Sequence, residues 1–261
     1  MIMKKILFLL SGLAFLLSAC EKEVDIDLDA SDQKIVIMGT VTNNDFQAQV
    51  KINRSVPFDE PSTYPNVTNA VVQITEKIGD VENIISLIQT EPGLYKSENP
   101  LGQPGATYTL RVELEGQVYE ASSTMPDVVT ISPIYFDELF PGSIFAAINF
   151  QDVGGRKDFY KANLYMDGEK KPDIFITDDT FTDGMLNGAI FGGPDLAVES
   201  GDMVMIEIDH IDEANYNYWF TMLQNVSEST AAPANPETNL SNDALGYFSA
   251  YTRSVAEAMA P

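Results

Sequence analysis

The amino-acid sequence predicts a mainly β protein in two consecutive blocks, the second carrying one short helix. Three observations predict it. Apolar and polar residues alternate with period two in short runs rich in Val, Ile and Tyr. Gly, Pro, Asn and Asp punctuate those runs at short intervals. A convincing helix-period stripe occurs once, near residues 213–226. The 261 residues are 44% hydrophobic and 21% charged, enough to bury a core.

The chain opens with Lys4 and Lys5 and then an apolar run, Ile6 to Leu17, broken by Ser11 and Gly12. A membrane-spanning helix needs roughly 20 apolar residues, so this run is short for one. It fits the basic and apolar regions of a secretory signal over residues 1–19. The run ends in Leu17-Ser18-Ala19-Cys20, the pattern of a bacterial lipobox, and Cys20 is the only cysteine of the chain. Lipidation of Cys20 with palmitate-type acyl chains is therefore expected. Each buried CH₂ contributes about 0.8 kcal/mol, so several chains hold a protein on a bilayer durably.

Residues 20–32 hold six acids, Glu21, Glu23, Asp25, Asp27, Asp29 and Asp32, against Lys22. They read either as an acidic tether or, because Val24, Ile26 and Leu28 alternate with acids, as an edge strand. Acids directly after a lipidated cysteine also resemble the surface-export signals of Bacteroidota lipoproteins. In an extended strand the alternating aspartates stand about 7 Å apart. That is too far to share one calcium ion with bonds of about 2.4 Å.

Block one spans 33–126. Lys34 to Val41 is rich in β-branched residues, and Ala48 to Ile52, Ala70 to Thr75 and Gly93 to Lys96 follow as strands. Tyr108, Leu110, Val112 and Leu114 share one face, with Thr109, Arg111, Glu113 and Glu115 on the other. Glu115-Gly116 then turns the chain into Val118 to Thr124. About seven short strands in some 90 residues, without a helix period, make an immunoglobulin-like β-sandwich the expected architecture. Met125-Pro126 closes it.

Block two, 127–261, is expected to be a second β-rich domain. Strands are read at Val128–Phe136, Ile144–Gln151, Phe159–Met166, Asp173–Asp178 and Met203–His210. Asp212 is the expected cap of a helix whose stripe is Tyr216, Trp219, Phe220, Leu223 and Val226. An irregular Pro/Asn loop, 227–243, follows, and Ala244–Arg253 is expected as a last strand integral to this block.

Acids outnumber bases 39 to 15, a net charge of −24, and no Lys/Arg cluster is present, which argues against nucleic-acid binding. Loss of residues 1–19 removes Lys4 and Lys5 and leaves the chain more acidic still. One cysteine and one histidine leave disulfides, Cys/His zinc sites and Ser–His–Asp catalysis without parts. His210 falls in phase with Val204, Ile206 and Ile208 and reads as a core-edge residue rather than a base. Asp178, Asp179 and Asp183 before Gly184 superficially resemble a calcium loop. Counting from Asp179, however, position three is Phe181 and position twelve is Ile190, so a solvated acidic turn is expected. Asp152-Val-Gly154-Gly155 reads as a plain hairpin turn. No catalytic residue, metal ligand or cofactor is expected. The aromatics Tyr216, Tyr218, Trp219, Tyr247, Phe248 and Tyr251 are the binding candidates, for glycan, peptide or partner protein, with core packing as the alternative.

An ordered set of segments resembles the Bacteroidota lipoprotein family catalogued as domain of unknown function 4249. They are CEKEVDIDL, KIVIMGTVTN, AVVQIT, GLY and GQPGATYTLRVELEGQVYEASSTMP in the first part. INFQD, DFYKANLY, GDMVMIEIDHIDEANYNYWFTM and NPETNLSNDALGYFSAYTRS follow in the second. Members of that family are encoded beside TonB-dependent outer-membrane receptors of the starch-utilisation type. The resemblance implies an envelope lipoprotein working with such a receptor. Together with the lipobox, the acidic start and the two β-rich blocks, it makes an outer-membrane lipoprotein facing the exterior, a non-enzymatic accessory subunit in nutrient capture, the expected function. The family has no known catalytic residues to carry over. An adhesion or envelope-assembly module is the alternative, and a surface hydrolase using a carboxylate pair roughly 5–10 Å apart is a third reading.

Overall fold

The computed structural model describes residues 33–44, 46–56, 63–226 and 234–261. The signal segment 1–19, Cys20, the acidic stretch to residue 32 and residues 227–233 of the expected loop lie outside the described residues.

The segment β6 (Thr107–Leu114) shows why these runs become strands. Tyr108, Leu110, Val112 and Leu114 are buried, while Arg111 and Glu113 reach the wetter face. Glu115 and Gly116, both at positive φ, turn the chain into β7 (Gln117–Thr124), as a two-residue hairpin requires. The strands β1 (Ile35–Thr42) and β2 (Gln47–Arg54) pair antiparallel, as do β3 (Val71–Ile78) and β6.

One strand of this block was not foreseen, β4 (Val81–Glu91), because its apolar residues do not alternate. It pairs with β3 as far as Leu87 and from Ile88 onward with β5 (Leu94–Pro100). The bend carries one hydrogen-bonded ribbon from the β3–β6–β7 layer to the β1–β2–β5 layer. Ile37, Val50 and Ile52 of one layer share a core with Ile74, Leu110 and Val112 of the other.

The second block adds two pieces. The strands β8 (Tyr135–Phe140), β9 (Ser143–Gln151) and β12 (Leu186–Ile190) make a small sheet in the order β12–β9–β8. Residues 128–134, expected as strand, contribute only the bridge Ile131 to Phe150, since Pro133 has no N–H for a ladder. The second piece comprises β10 (Phe159–Met166), β11 (Glu169–Asp178) and β13 (Met203–Ile211). It joins the large sheet, whose order is β11–β10–β13–β14–β1–β2–β5–β4–β3–β6–β7. The hydrophobic core divides near the expected boundary: Met125 belongs to the first cluster and Val129 to the second. The backbone ladder nevertheless runs through both, and Gln33–Pro261 is one compact unit.

The joint is β14 (Leu245–Met259). It runs parallel to β1 from Leu245 to Tyr251 and antiparallel to β13 from Thr252 to Met259. The last strand is thus longer than expected, and it does not belong to block two alone: Phe248 and Ala250 lie in the first cluster and Ala260 in the second. A parallel neighbour needs a long crossover, and nearly the whole chain separates β1 from β14. Gly246 makes the close approach possible. Its φ is +97°, and a Cβ there would lie 2.0 Å from the Ile37 carbonyl oxygen. Gly246→Ala is expected to lower stability by about 3 kcal/mol, read as a drop in the urea midpoint with unchanged slope.

The helix α1 (Glu213–Val226) starts where expected. Asp212 caps it, accepting the Asn215 N–H at 2.9 Å. Asn215, buried, also donates through its side chain to the Phe248 carbonyl at 3.0 Å and fastens the helix to β14. The expected stripe is only half-buried, with Phe220 and Val226 exposed, because α1 lies on the outer face of β10 and β14 rather than in the core.

Candidate functional site

Beneath α1, three neighbouring strands turn polar side chains to one face. Strand β13 alternates Val204, Ile206, Ile208 and His210 toward the second core with Glu207 and Asp209 toward the helix side. Lys161 of β10 lies directly opposite Asp209, and Asn163 opposite Glu207. On the other flank Arg253 of β14 lies opposite Asp209. Antiparallel register therefore places two cations against one acid before any side chain chooses a rotamer.

The side chains close this into a network. Lys161 Nζ donates to Asp209 Oδ2 at 2.7 Å, and Arg253 reaches both Asp209 oxygens at 2.6 and 2.9 Å. Arg253 also donates to Glu207 Oε1 at 2.8 Å, while Asn163 and the Tyr165 hydroxyl donate to Glu207 Oε2 at 3.2 and 3.1 Å. Burial acts to raise the Asp209 carboxyl, but Lys161 and Arg253 outweigh it and hold it below the usual carboxylate range. Burial likewise opposes charge on Arg253, and Asp209 overrides it, so the guanidinium is held more firmly than usual.

Aromatic rings wall this floor. Trp219 and Tyr218 of α1 sit 5.4 and 4.8 Å from the Tyr247 ring. The Lys161 ammonium lies 5.4 Å from the Trp219 ring, and the Arg253 guanidinium 5.3 Å from Tyr251. Burial, with Asp209 adding, pushes the Tyr251 phenol up to about 12, so it stays a neutral donor at ordinary pH. The inner recess holds about 170 Å³, with Lys170 at its edge. It shares Thr40, Tyr251 and Arg253 with an outer recess of about 310 Å³ that extends toward Phe46 and Lys96. Small-molecule sites run to about 300–1,000 Å³, so the two together reach that range and the inner one alone does not. Two buried polar atoms among its lining residues have no partner among the described residues, Asn163 Oδ1 and Ser249 Oγ.

Three of the six aromatic candidates, Trp219, Tyr247 and Tyr251, line this recess, and Tyr218 backs them. The other two do not. Phe248 is fully buried in the first core, since it is the inward alternate of Tyr247, and Tyr216 stacks between Phe159 and Phe220. Lys161, Asn163, Glu207, Asp209, Ser249 and Arg253 were missed. The available signal was the pair of acids alternating with isoleucines in MIEIDHI, polar residues inside a strand covered on both faces.

His210 is buried at the end of the apolar face, as expected, with Nδ1 2.8 Å from the Asp127 carbonyl and Nε2 3.0 Å from Asp158 Oδ1. A cavity of about 480 Å³ opens between β11 and the small sheet, lined largely by core aromatics such as Phe150, Phe175 and Phe191. It lacks the converging charges of the recess under α1, so the smaller space is the better site.

Fold and site together define a mainly β chain with an aromatic-walled, charge-floored recess beside its one described helix. The chain belongs to the family described as Domain of unknown function (DUF4249), whose sequence model matches residues 21–257. No curated protein matches it. Among solved structures it is similar to a DUF4785 family protein from Legionella pneumophila, at 9% identity and a TM-score of 0.27. That alignment covers 67% of this chain and 52% of the other, so the chain spans about half the length of that relative.

Proposed function

We propose that this chain is an outer-membrane lipoprotein, anchored through Cys20 and facing outward, that captures a small polar ligand under α1 for a TonB-dependent receptor. The observation that carries the reading is the recess itself: rings on its wall, charges on its floor, and Asn163 Oδ1 and Ser249 Oγ buried without partners among the described residues. A bound ligand offering hydroxyl groups satisfies both atoms, since burying them unpaired is costly. Rings such as Trp219 and Tyr251 stack on sugars as readily as on other flat ligands. Lys161, Lys170 and Arg253 face two carboxylates, Glu207 and Asp209, and Lys170 forms no ion pair among the described residues. The surplus positive charge favours a saccharide that carries a carboxylate.

The same geometry speaks for binding over hydrolysis. A glycosidase acid needs a raised pKa, whereas Asp209 is held low and Glu207 is engaged by Arg253. The lipobox and the family resemblance support the location and the receptor.

Titration calorimetry of the full chain in detergent against uronic-acid oligosaccharides and their neutral counterparts tests the ligand class. The expected result is uronate binding that weakens by about 30-fold in Trp219→Ala, the effect of losing an aromatic anchor. Lys170→Ala, at the exposed edge, should weaken it by about threefold. Affinity purification from detergent-solubilised outer membranes should recover a TonB-dependent receptor. Failure of the first experiment removes the ligand assignment, and repeated failure of the second removes the receptor role.

A further inference from the structure

A second cluster lies on the opposite side of β10, away from the recess. The loop after β9 and the loop before β12 press together so closely that a Cβ on Gly154 would come 3.1 Å from Gly184 Cα. That contact brings Asp152 beside Asp179 and Asp183, with one carboxylate oxygen from each within 4.8 Å of the others. The turn at 178–184 is solvated as expected at Thr180, Phe181, Asp183 and Gly184 but not at Asp179, and Asp152 is not part of a plain hairpin, since β9 pairs with β12 and β8 rather than with β10. Asp179 is 3% exposed and Asp152 2%.

The arrangement is built rather than incidental. The Tyr160 hydroxyl donates to Asp152 Oδ1, and the Gly184 N–H to Asp152 Oδ2 at 2.7 Å. The Gly155 N–H donates to Asp183 Oδ1 at 2.7 Å. These bonds orient two of the carboxylates, and each oxygen retains a free lone pair. Asp179 Oδ2, by contrast, is buried with no hydrogen-bond partner among the described residues. The nearby cation Arg156 is taken by Asp158 and Asp127. Three acids thus converge, two of them out of water, and one aims an unpartnered oxygen into the group. Like charges so placed repel strongly unless a cation joins them.

We infer that Asp152, Asp179 and Asp183 form a calcium site. The donors are all oxygen, which selects a hard cation over zinc or copper. Calcium–oxygen bonds of about 2.4 Å allow ligand oxygens up to about 4.8 Å apart across the ion, and the three carboxylate oxygens lie within that distance of one another. Magnesium, with bonds of about 2.0–2.1 Å and strict octahedral demands, fits less well. The ion ties the β9 loop to the β12 loop and neutralises the buried pair. This site does not depend on the ligand or receptor reading above.

The test uses the full chain in detergent, stripped with a chelator and titrated with CaCl₂ or MgCl₂. One calcium is expected per chain, with Kd of about 10⁻⁴ M, magnesium at least about tenfold weaker, and a higher melting temperature in calcium. Asp183→Asn, at the exposed ligand, should fold normally, keep the melting temperature of the stripped protein, and bind calcium at least about tenfold more weakly. Asp179→Asn should abolish binding and raise the stability of the stripped protein, because it removes a buried unpaired charge. Absence of heat and of any melting shift up to about 10 mM calcium, an unaltered response in Asp183→Asn, or magnesium binding as tight as calcium overturns the assignment.

Discussion

Ending the chain after Val226 is expected to abolish folding altogether. The missing segment includes β14, which hydrogen-bonds β1 on one stretch and β13 on the next. Without it the large sheet is cut between β13 and β1, which become bare edges. The first core loses Phe248, Ala250, Leu240 and Ala244, and the second loses Ala260. Removal of one buried Phe alone costs about 3–5 kcal/mol, and a whole domain is stable by only about 5–15 kcal/mol. The segment before the strand contributes as well. The Asn239 side chain bonds both the N–H and the carbonyl of Phe248, at 3.0 and 2.8 Å, standing in for a missing strand neighbour. Circular dichroism and light scattering on the truncated chain should show lost tertiary signal and aggregation. A truncated chain that melts at the parent temperature would show β14 to be dispensable.

Asp209→Ala should be the most damaging single substitution beneath α1. Asp209 is 1% exposed and is the shared partner of Lys161 and Arg253. Its loss leaves Lys161 buried without its carboxylate and Arg253 held by Glu207 alone, and breaking a buried pair in this way costs about 3–5 kcal/mol. Trp219 and Tyr251 rest on those cations, so the recess should loosen together with the fold. Asp209→Leu with Lys161→Met should recover much of the stability but no ligand binding, which separates packing from recognition.

The pH dependence follows from the direction of the shift. The folded-state pKa of Asp209 lies below its unfolded value of about 3.9, so its contribution is present in full above that value. It is lost as pH falls through the lower folded value. Acid unfolding monitored by fluorescence should therefore be shallower in Asp209→Asn than in the parent between about pH 4 and pH 2.

The strands with one wet face were legible from residue order. β6 and β7 are of this kind, because burial of one face of a pleated sheet imposes period two on the side chains, whereas β10 and β13 are covered on both faces and were legible only from where their apolar runs begin. The start of α1 was legible too, since Asp212 offers its carboxylate to a local backbone N–H three residues on. β4 and β12 were not. Val81, Ile84 and Ile88 of β4 are exposed and Leu186 of β12 is exposed, so neither strand carries the alternation that burial writes. The aromatics were recognised as a set, but only packing separates Phe248 in the core from Tyr247 and Tyr251 on the wall.

Local order along the chain was thus set by interactions a few residues long: period-two burial, positive-φ turns at Glu115-Gly116, and the Asp212 cap. The division of β14 between two neighbours, the Lys161–Asp209–Arg253 network and the convergence of Asp152 with Asp179 belong to the tertiary structure. Their members are 27 to 209 positions apart, as Asp152 from Asp179 and β1 from β14, and each member alone reads as an ordinary strand or turn residue. Strand register and loop packing place them together, and register is decided by what the whole core can bury rather than by any one segment.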